Sequence, residues 1–247
     1  MVKWRVIPVE TLHPYMNVAL EEVAVESVKN TGIPIIRFYL WDPAGVIIGQ
    51  FQSMHDEVDV ELCRQKGIVP VRRLSGGGAV YNDQKCLTYS VILPESMCPG
   101  GIHESYRVLC QPIIDALELL GLKGEFKPIN DVILNGKKIS GNAQLRKNGI
   151  IVHHGTLIYS LDVKNMFSVL KIDKRKISDK ELKNVEDRVT SLLQHKDISL
   201  DEFHSVLVKA FTNGKEFFFD KWTDGEIARA NELIEKQYST DEWNFRR

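Results

Sequence analysis

The sequence contains few cysteines and no paired cysteine motif. Its four cysteines, Cys63, Cys86, Cys98 and Cys110, are scattered, and no Cys-x-x-Cys occurs. A disulfide framework or a zinc site needs cysteines at characteristic close spacings, so neither is expected. Reduced thiols fit a cytoplasmic protein, and the N-terminal segment lacks the apolar core of a signal peptide.

Long apolar runs and a large net charge are also missing. No run approaches the roughly 18 apolar residues of a membrane span, so no membrane association is expected. The formal net charge of −1 argues against a surface that coats nucleic acid. The apolar content of 43% is sufficient for a sizeable core. Because no repeat or flexible linker is evident, a single α+β domain over residues 1–247 is expected.

A glycine-rich loop is present, although the two common nucleotide motifs are not. The sequence has no P-loop, and its glycines lack the Gly-x-Gly-x-x-Gly spacing of a Rossmann site. Residues 72–83 instead read Arg-Arg-Leu-Ser-Gly-Gly-Gly-Ala-Val-Tyr-Asn-Asp. Consecutive glycines let backbone amides share one concavity, and paired arginines suit phosphate or carboxylate. The segment predicts an anion-binding loop; a plain glycine-rich turn is the alternative.

A β-hairpin is predicted around Asn135-Gly136, because both central residues of a type I′ turn need positive φ. This turn predicts the cross-strand pairs Leu134–Lys137, Ile133–Lys138, Val132–Ile139 and Asp131–Ser140. Lys138 then shares a face with Asp131, whereas Lys137 lies on the other face. Two readings of Lys138 stay open: an ordinary cross-strand ion pair, or a lysine held over a phosphate.

A second turn at Asn148-Gly149 predicts pairing of residues 143–147 with residues 150–154, and therefore a three-stranded meander. His153 and His154 would point to opposite faces, so they are poor joint metal ligands, and no metal site is predicted. One of the two histidines is expected to be structural and the other, His154, to line the site.

Other elements follow from apolar periodicity, capping residues and glycine stops. Helices are predicted over residues 14–29, 56–66 and 103–120, and capping boxes at Ser199 and Thr223 begin two more. Strands are predicted over residues 35–41, 46–51, 68–73 and 87–93.

Taken together, these motifs resemble those of lipoate–protein ligases. The resemblance rests on five segments spread over nearly the whole chain: residues 72–83, Asn130-Asp131, residues 138–143, His154-Gly155-Thr156 and Arg188-Val189-Thr190. It implies the α+β fold shared by biotin and lipoate ligases, which is related to class II aminoacyl-tRNA synthetases.

The resemblance also implies site residues. Lys138 corresponds to the catalytic lysine that contacts both lipoate and the α-phosphate. Arg72 and His154 are expected to bind the substrate together with Lys138. Residues assigned to ATP and the acyl-adenylate are Arg73, Gly76, Gly77, Gly78, Ala79, Val80, Tyr81, Asn130, Asp131 and Lys138. Ile47 and Tyr81 are expected to line an acyl tunnel. Residues 171–188 are expected to approach the nucleotide.

The implied activity is ATP-dependent formation of lipoyl-AMP and transfer of the lipoyl group to a lysine. Mg²⁺ is expected with ATP. The implied acceptors are lipoyl-domain proteins, namely the E2 components of 2-oxoacid dehydrogenases and the H protein of glycine cleavage. Nucleic acid is not an expected partner.

Three departures from the family pattern stand out. Asn82 replaces the usual histidine, residues 84–86 replace a frequent Gly-Asn pair, and no C-terminal accessory domain follows. The last departure predicts a separate accessory subunit, with a docking surface around Tyr238 and Trp243. The alternative is that this aromatic segment packs on its own domain.

Three other functions remain open. Octanoyl or lipoyl transferases of the same fold work without ATP through a cysteine thioester. They place the nucleophilic cysteine at the position of residues 124–128, and this segment contains no cysteine. Cys86 and Cys98 are then the only candidates. A biotin ligase is disfavoured because its Gly-Arg-Gly-Arg loop is missing. A non-catalytic binding module is disfavoured by the presence of both Lys138 and the arginine–glycine loop.

Overall fold

A computed structural model describes residues 2–98, 100–160, 166, 168–171 and 187–247 of the chain. Their strands are β1 (Trp4–Leu12), β2 (Ile35–Trp41), β3 (Gly45–Ile48), β4 (Val69–Arg72), β5 (Val80–Asn82), β6 (Cys86–Pro94), β7 (Gly124–Lys127), β8 (Asp131–Leu134), β9 (Lys137–Lys147), β10 (Ile150–Ile158) and β11 (Phe217–Phe219). Their α-helices are α1 (Pro14–Thr31), α2 (Met54–Glu57), α3 (Val60–Lys66), α4 (Ile102–Leu119), α5 (Leu200–Thr212), α6 (Asp224–Leu233) and α7 (Asp241–Asn244).

Within these ranges the strands form two sheets. The large sheet has eight strands in the order β11-β1-β2-β6-β10-β9-β8-β7, and the small one has the order β4-β3-β5. Pairing is parallel from β11 through β1 to β2 and antiparallel from β2 onward. One face of the large sheet packs on α4 and α5 through residues such as Ile113, Leu117 and Phe211. Its other face packs on α1 and α6 through residues such as Leu20, Val23 and Leu233.

Most predicted element boundaries differ from the structure by one to three residues. The first helix, α1, ends with a glycine as its C-cap: Gly32 has φ of 70°, and its amide donates to the Val28 carbonyl. Both predicted capping boxes are present at Ser199 and Thr223. The prediction of one continuous helix over residues 56–66 is wrong. Two shorter helices, α2 and α3, take its place and are separated by Val58 and Asp59. Val58 is fully buried there, and Asp59 caps α3 through a bond from the Leu62 amide.

The predicted meander forms with both Asn-Gly turns, since Asn135 and Asn148 have φ of 50° and 54°. Leu134 pairs with Lys137 and Ile133 with Lys138, as predicted, but a bulge then shifts the register. Val132 pairs with Ser140 and Asp131 with Gly141, so the predicted pairs of Val132 with Ile139 and of Asp131 with Ser140 are wrong. The bulge buries Ile139 and Ser140 together and places a glycine opposite Asp131.

The C-terminal segment packs on the small sheet through Arg72, whose side chain is fully buried. Its guanidinium donates to the carbonyls of Trp243 and Asn244 at 3.0 and 2.8 Å. It also donates to the carbonyls of Gly49, Gln50 and Gln52 after β3. The indole Nε1 of Trp243 returns a bond to the Arg72 carbonyl at 2.9 Å. The expectation that Arg72 binds substrate therefore does not fit its position.

The predicted partner surface around Tyr238 and Trp243 is also corrected. Tyr238 is fully buried and its hydroxyl donates to Glu22 of α1 at 2.6 Å. Trp243 stacks edge-on against Tyr238 and lies beneath Arg246, at 4.0 Å from the ring centroid. The aromatic segment packs on its own domain.

Within the described residues, no helix combines the length and apolar character that a membrane crossing needs.

Arg72→Lys should destabilise the fold by about 3 kcal/mol. A lysine ammonium cannot reach both the carbonyls of the C-terminal segment and those that follow β3, so several buried carbonyls would lose their hydrogen bonds. Urea denaturation would measure the loss. Arg246→Lys, at an exposed position, is the matched control and should cost much less than 1 kcal/mol. An Arg72→Lys variant as stable as the wild type but unable to bind substrate would restore a substrate role.

Candidate active site

A cavity of about 240 Å³ lies between the large sheet, the small sheet and α1. The predicted residues that line it are Arg73, Gly77, Gly78, Ala79, Val80, Asn130, Lys138 and His154. Ile47, predicted for the acyl tunnel, lines it too. Arg72, Gly76, Tyr81 and Asp131 are not among the described lining residues. The two sequence constellations therefore converge on one site, although some of their members do not face it.

Arg73 shapes the glycine loop from inside. It is 6% exposed, and its guanidinium donates to the carbonyls of Gly76, Gly78 and Ile47 and to the Ser75 hydroxyl, at 2.7–3.0 Å. Burial lowers the pKa of Arg73 to about 10, so it remains charged at neutral pH. Since most of its donors are engaged, the expected direct phosphate contact gives way to a role in holding the loop.

The Gly76 carbonyl turns inward to Arg73, and in a trans peptide the amide of the next residue points the opposite way, so the Gly77 amide points away from Arg73. In the described part of the chain, the amides of Gly76, Gly77 and Gly78 donate to no protein group. Gly77 has φ of +94°, and a Cβ on Gly49 would lie 2.1 Å from the Gly77 carbonyl oxygen. Larger residues would therefore push the loop away from β3. Successive free amides of this kind form an anion-binding concavity.

Lys138 lies on β9 and lines the same cavity as Gly77 and Gly78. Its ammonium is 2.7 Å from Asp131, and its side chain crosses Gly141, where a Cβ would be 2.6 Å from Nζ. The Lys138 amide donates to the Arg188 carbonyl and the Lys138 carbonyl accepts from the Thr190 amide, both at 2.8 Å. Four motifs of the sequence thus meet at one end of the cavity. Most of residues 171–188, expected near the nucleotide, lie outside the described residues.

A buried hydrogen-bond chain forms the wall beside the loop. Ser75 bonds to His154 Nε2 at 2.7 Å, and His154 Nδ1 bonds to Glu21 Oε1 at 2.7 Å. Glu21 also accepts from Ser90. Although burial opposes ionisation most strongly, His154, Ser90 and Arg37 together keep the pKa of Glu21 below its ordinary value. Glu21 is therefore an anion that aligns the His154 ring.

The hydrogen bonds from Ser75 through His154 to Glu21 have the order of a serine–histidine–acid catalytic triad, but Ser75 is not placed to act as a nucleophile. Ser75 is 1% exposed and is not among the described residues that line the cavity. Its oxygen also accepts a bond from Arg73 Nε at 3.0 Å. A hydroxyl that is buried and held by a cation cannot reach an acyl carbonyl in the cavity. The array positions His154 and the glycine loop instead.

His153 belongs to the opposite face, as its alternation with His154 predicts. Burial lowers its pKa to about 3, so the ring is neutral. It bonds to Gln144 at 3.0 Å and to the Tyr89 hydroxyl at 2.9 Å, and Tyr89 donates to Asn142 Oδ1 at 2.6 Å. Asn142 in turn donates to the Asn130 carbonyl. This second chain orients two polar residues of the cavity wall.

Several lining residues were missed from the sequence. They are Asn17, Val18 and Glu21 of α1, Tyr39 and Trp41 of β2, Thr88 of β6, and Asn142 of β9. A usable signal existed for two of them: Asn17 and Glu21 lie four residues apart among the apolar residues of α1, and so share a helix face that is otherwise core.

The chain is similar to known proteins over nearly its whole length. The family model described as the lipoyl protein ligase A/B catalytic domain matches residues 13–212. The octanoyltransferase LipM of Brevibacillus brevis is 31% identical, with 100% of both chains covered. A bi-partite lipoate protein ligase structure from Thermoplasma acidophilum has a TM-score of 0.91 at 32% identity, covering 99% of this chain and 97% of that one.

A third relative is a lipoate-protein ligase A bound with ATP, whose structure has a TM-score of 0.85 at 30% identity and covers 99% of each chain. These similarities confirm the predicted family resemblance and the α+β fold of lipoate ligases. The relatives include both lipoate ligases, one of them bound with ATP, and octanoyltransferases. The chain therefore belongs to the lipoyl protein ligase A/B catalytic-domain family, and is an enzyme of the lipoate ligase and transferase type.

Proposed function

We propose that this enzyme activates lipoate with ATP to lipoyl-AMP and then transfers the lipoyl group to a lysine of a lipoyl domain. One observation carries the proposal. The unpaired amides of Gly77 and Gly78 and the Lys138 side chain line one cavity, together with the apolar side chains of Val18, Ile47 and Trp41. Such a site suits a phosphate and a carboxylate at its polar groups and an acyl chain along its apolar ones.

Activation is needed because a carboxylate is a poor electrophile. In the proposed reaction, the lipoate carboxylate oxygen attacks the α-phosphorus of ATP and pyrophosphate leaves. The Gly77 and Gly78 amides would bind phosphate oxygens, and Lys138 would bridge the α-phosphate and the carboxylate. An acceptor lysine then attacks the acyl carbon and AMP leaves. The protein contributes position and charge stabilisation in both steps.

Asp131 supports this role of Lys138 rather than competing with it. The Lys138 side chain is 39% exposed and the Asp131 side chain 29%, so their ion pair lies at the edge of the cavity. A lysine without such a partner would sample many rotamers. The carboxylate therefore holds the ammonium over Gly141, where its remaining donors are available to an anion.

Mg²⁺ is part of the same proposal. Among the described residues, no group of three or more histidine, cysteine, aspartate or glutamate side chains could hold a metal ion. In ATP sites, Mg²⁺ is commonly held by substrate phosphates and water with one or two carboxylates. Asp131 is a carboxylate at this end of the cavity. The residues thus fit a metal that arrives with ATP and neutralises phosphate charge.

The rival function is an ATP-independent transferase that uses a cysteine thioester. All four thiols are free, and none lines the cavity within the described residues. Burial raises the pKa of Cys86 and of Cys110 to about 12, that of Cys63 to about 11, and that of Cys98 above its ordinary value. A nucleophilic cysteine needs the opposite shift and access to substrate. The thiols therefore favour the ligase.

Lys138→Ala should lower the rate of lipoyl-AMP formation by on the order of 10²-fold or more while the fold is kept, because it removes a charge-assisted contact. Pyrophosphate release reports the rate and thermal melting reports the fold. Lys137→Ala, the adjacent lysine on the other face of β9, is the matched control and should change the rate little. Equal losses in both variants, or no loss in the first, would contradict the assignment.

Cys86→Ser and Cys98→Ser, singly and together, should retain ATP-dependent lipoylation, since neither thiol faces the cavity. Mass spectrometry of a lipoyl domain after incubation with enzyme, lipoate and ATP measures the product, with ATP omitted as the control. A hydroxylamine-sensitive thioester on either cysteine, formed without ATP from an acylated donor, would move the enzyme into the transferase class.

We also propose that efficient adenylation needs a separate accessory subunit. The support is the match to a ligase described as bi-partite, of which this chain covers 97% of one polypeptide. The purified chain alone should then release pyrophosphate slowly from lipoate and ATP. Sustained turnover by the single chain, at the rate found in an extract from its source, would count against the subunit.

A further inference from the structure

We propose that Phe51 and Ile129 form the contact surface on which the acceptor protein docks when it presents its lysine to the cavity. This inference rests on the proposed function, because it takes the acceptor lysine to attack an acyl carbon held near Lys138. Among the described residues, Phe51 and Ile129 are the two most exposed large apolar side chains, at 65% and 62%. Single exposed apolar side chains are common on protein surfaces, so the position of these two decides the argument.

Phe51 lies on the side of the cavity formed by the glycine loop. It belongs to the turn that follows β3, and a Cβ on Gly76 would stand 3.9 Å from its ring. Buried Arg72 donates to the Gln50 carbonyl of this turn, and Arg247 donates to the Phe51 carbonyl. The Arg247 guanidinium is 5.7 Å from the ring centroid. The phenyl ring is therefore exposed on a backbone that hydrogen bonds hold in place.

Ile129 lies on the side of the cavity formed by the start of β8. It belongs to the connection between β7 and β8 and directly precedes Asn130, which lines the cavity. The Asn130 carbonyl accepts hydrogen bonds from the backbone amide and the side-chain amide of Asn142, at 3.0 and 2.9 Å. The backbone next to Ile129 is therefore held in place as well.

The two side chains flank the same rim of the cavity. Gly77 and Asn130 both line it. A Cβ on Gly77 would stand 3.8 Å from the Cβ of Ala143, and Ala143 directly follows the residue that bonds to the Asn130 carbonyl. The glycine loop and the start of β8 are thus close neighbours. A specific interface covers about 800 Å² on each partner, which is wide enough to include both Phe51 and Ile129.

The proposed reaction identifies the occupant of this rim. A lysine side chain reaches roughly 6 Å from its Cα, because it has five single bonds of about 1.5 Å. The acyl carbon lies inside the cavity, so the acceptor backbone beside that lysine must come to the rim. A subunit that stayed on the rim would keep the lysine out. The occupant is therefore the acceptor itself, with an apolar patch beside its lysine. Apolar side chains on a fixed backbone lose little conformational entropy when they bind.

The experiment measures two constants for two unmodified acceptors, an E2 lipoyl domain and the H protein of glycine cleavage. One is the KM of the acceptor in lipoyl transfer from preformed lipoyl-AMP, and the other is its Kd for the enzyme without ATP. Phe51→Ser and Ile129→Ser should each raise both constants on the order of tenfold, as truncated interface anchors do. Phe51→Leu should recover most of the loss. Pyrophosphate release from lipoate and ATP, without acceptor, should stay at the wild-type rate in all three variants.

Phe219→Ser is the matched control. Phe219 is 56% exposed on β11, at the opposite edge of the large sheet from β7, so this variant should leave both constants unchanged. Unchanged constants in Phe51→Ser and Ile129→Ser would overturn the proposal. A fall in pyrophosphate release that matches the rise in KM would overturn it too, because it would show damage to the cavity itself. If the ligase function is wrong, the wild type releases no pyrophosphate, and the Kd values still decide the docking surface.

Discussion

The site depends on the contact between one arginine and the backbone that follows it. Arg73 binds the carbonyls of Gly76 and Gly78 and the Ser75 hydroxyl, so the loop closes around its own guanidinium. In a trans peptide, a carbonyl that points inward turns the amide of the next residue outward. A buried cation therefore produces an anion-binding surface without touching the anion, and it adds positive charge behind the amides.

The same constraint explains why two adjacent arginines have different functions. Arg72 ends β4 and Arg73 follows it directly; successive side chains of an extended segment point to opposite faces, so the two arginines cannot share a ligand. Arg72 faces the C-terminal segment and joins it to the small sheet. Arg73 faces the cavity and shapes the loop. Both arginines bind backbone carbonyls, and in the proposed function the loop amides and Lys138 bind the substrates.

Much of this arrangement could be predicted from short-range chemistry. Two Asn-Gly turns were sufficient to predict the meander, the opposite directions of His153 and His154, and the pairing of Lys138 with Asp131. The bulge at Ile139 was missed, because turn geometry predicts a regular ladder and only tertiary burial shows that Ile139 and Ser140 must both be covered. The α2–α3 break has the same origin in the burial of Val58.

Long-range contacts were the part that sequence reasoning could not reach. Glu21 and His154 are 133 residues apart, yet their 2.7 Å contact aligns the cavity wall. The roles of Arg72 and Arg73 differ because different parts of the chain cover the two faces at the end of β4. Both residues are arginines, so the residue type alone does not show this difference. Tyr238 and Trp243 looked like a partner surface because aromatic residues are common in interfaces. The burial of Tyr238 against Glu22 and the contact of Trp243 with Arg72 are properties of the folded chain alone.

The distribution of polarity in the cavity connects these features to the choice between ligase and transferase. A thioester route needs an ionisable thiol at the acyl carbonyl, and here every thiol lies in surroundings that disfavour the thiolate. An adenylate route needs no nucleophile from the protein. It needs a cation and amides where phosphate charge shifts, and an apolar channel behind them. The described cavity supplies charge at Lys138, amides at the glycine loop and apolar surface at Ile47 and Val18. The proposed ligase function therefore relies on electrostatic rather than covalent catalysis by the protein.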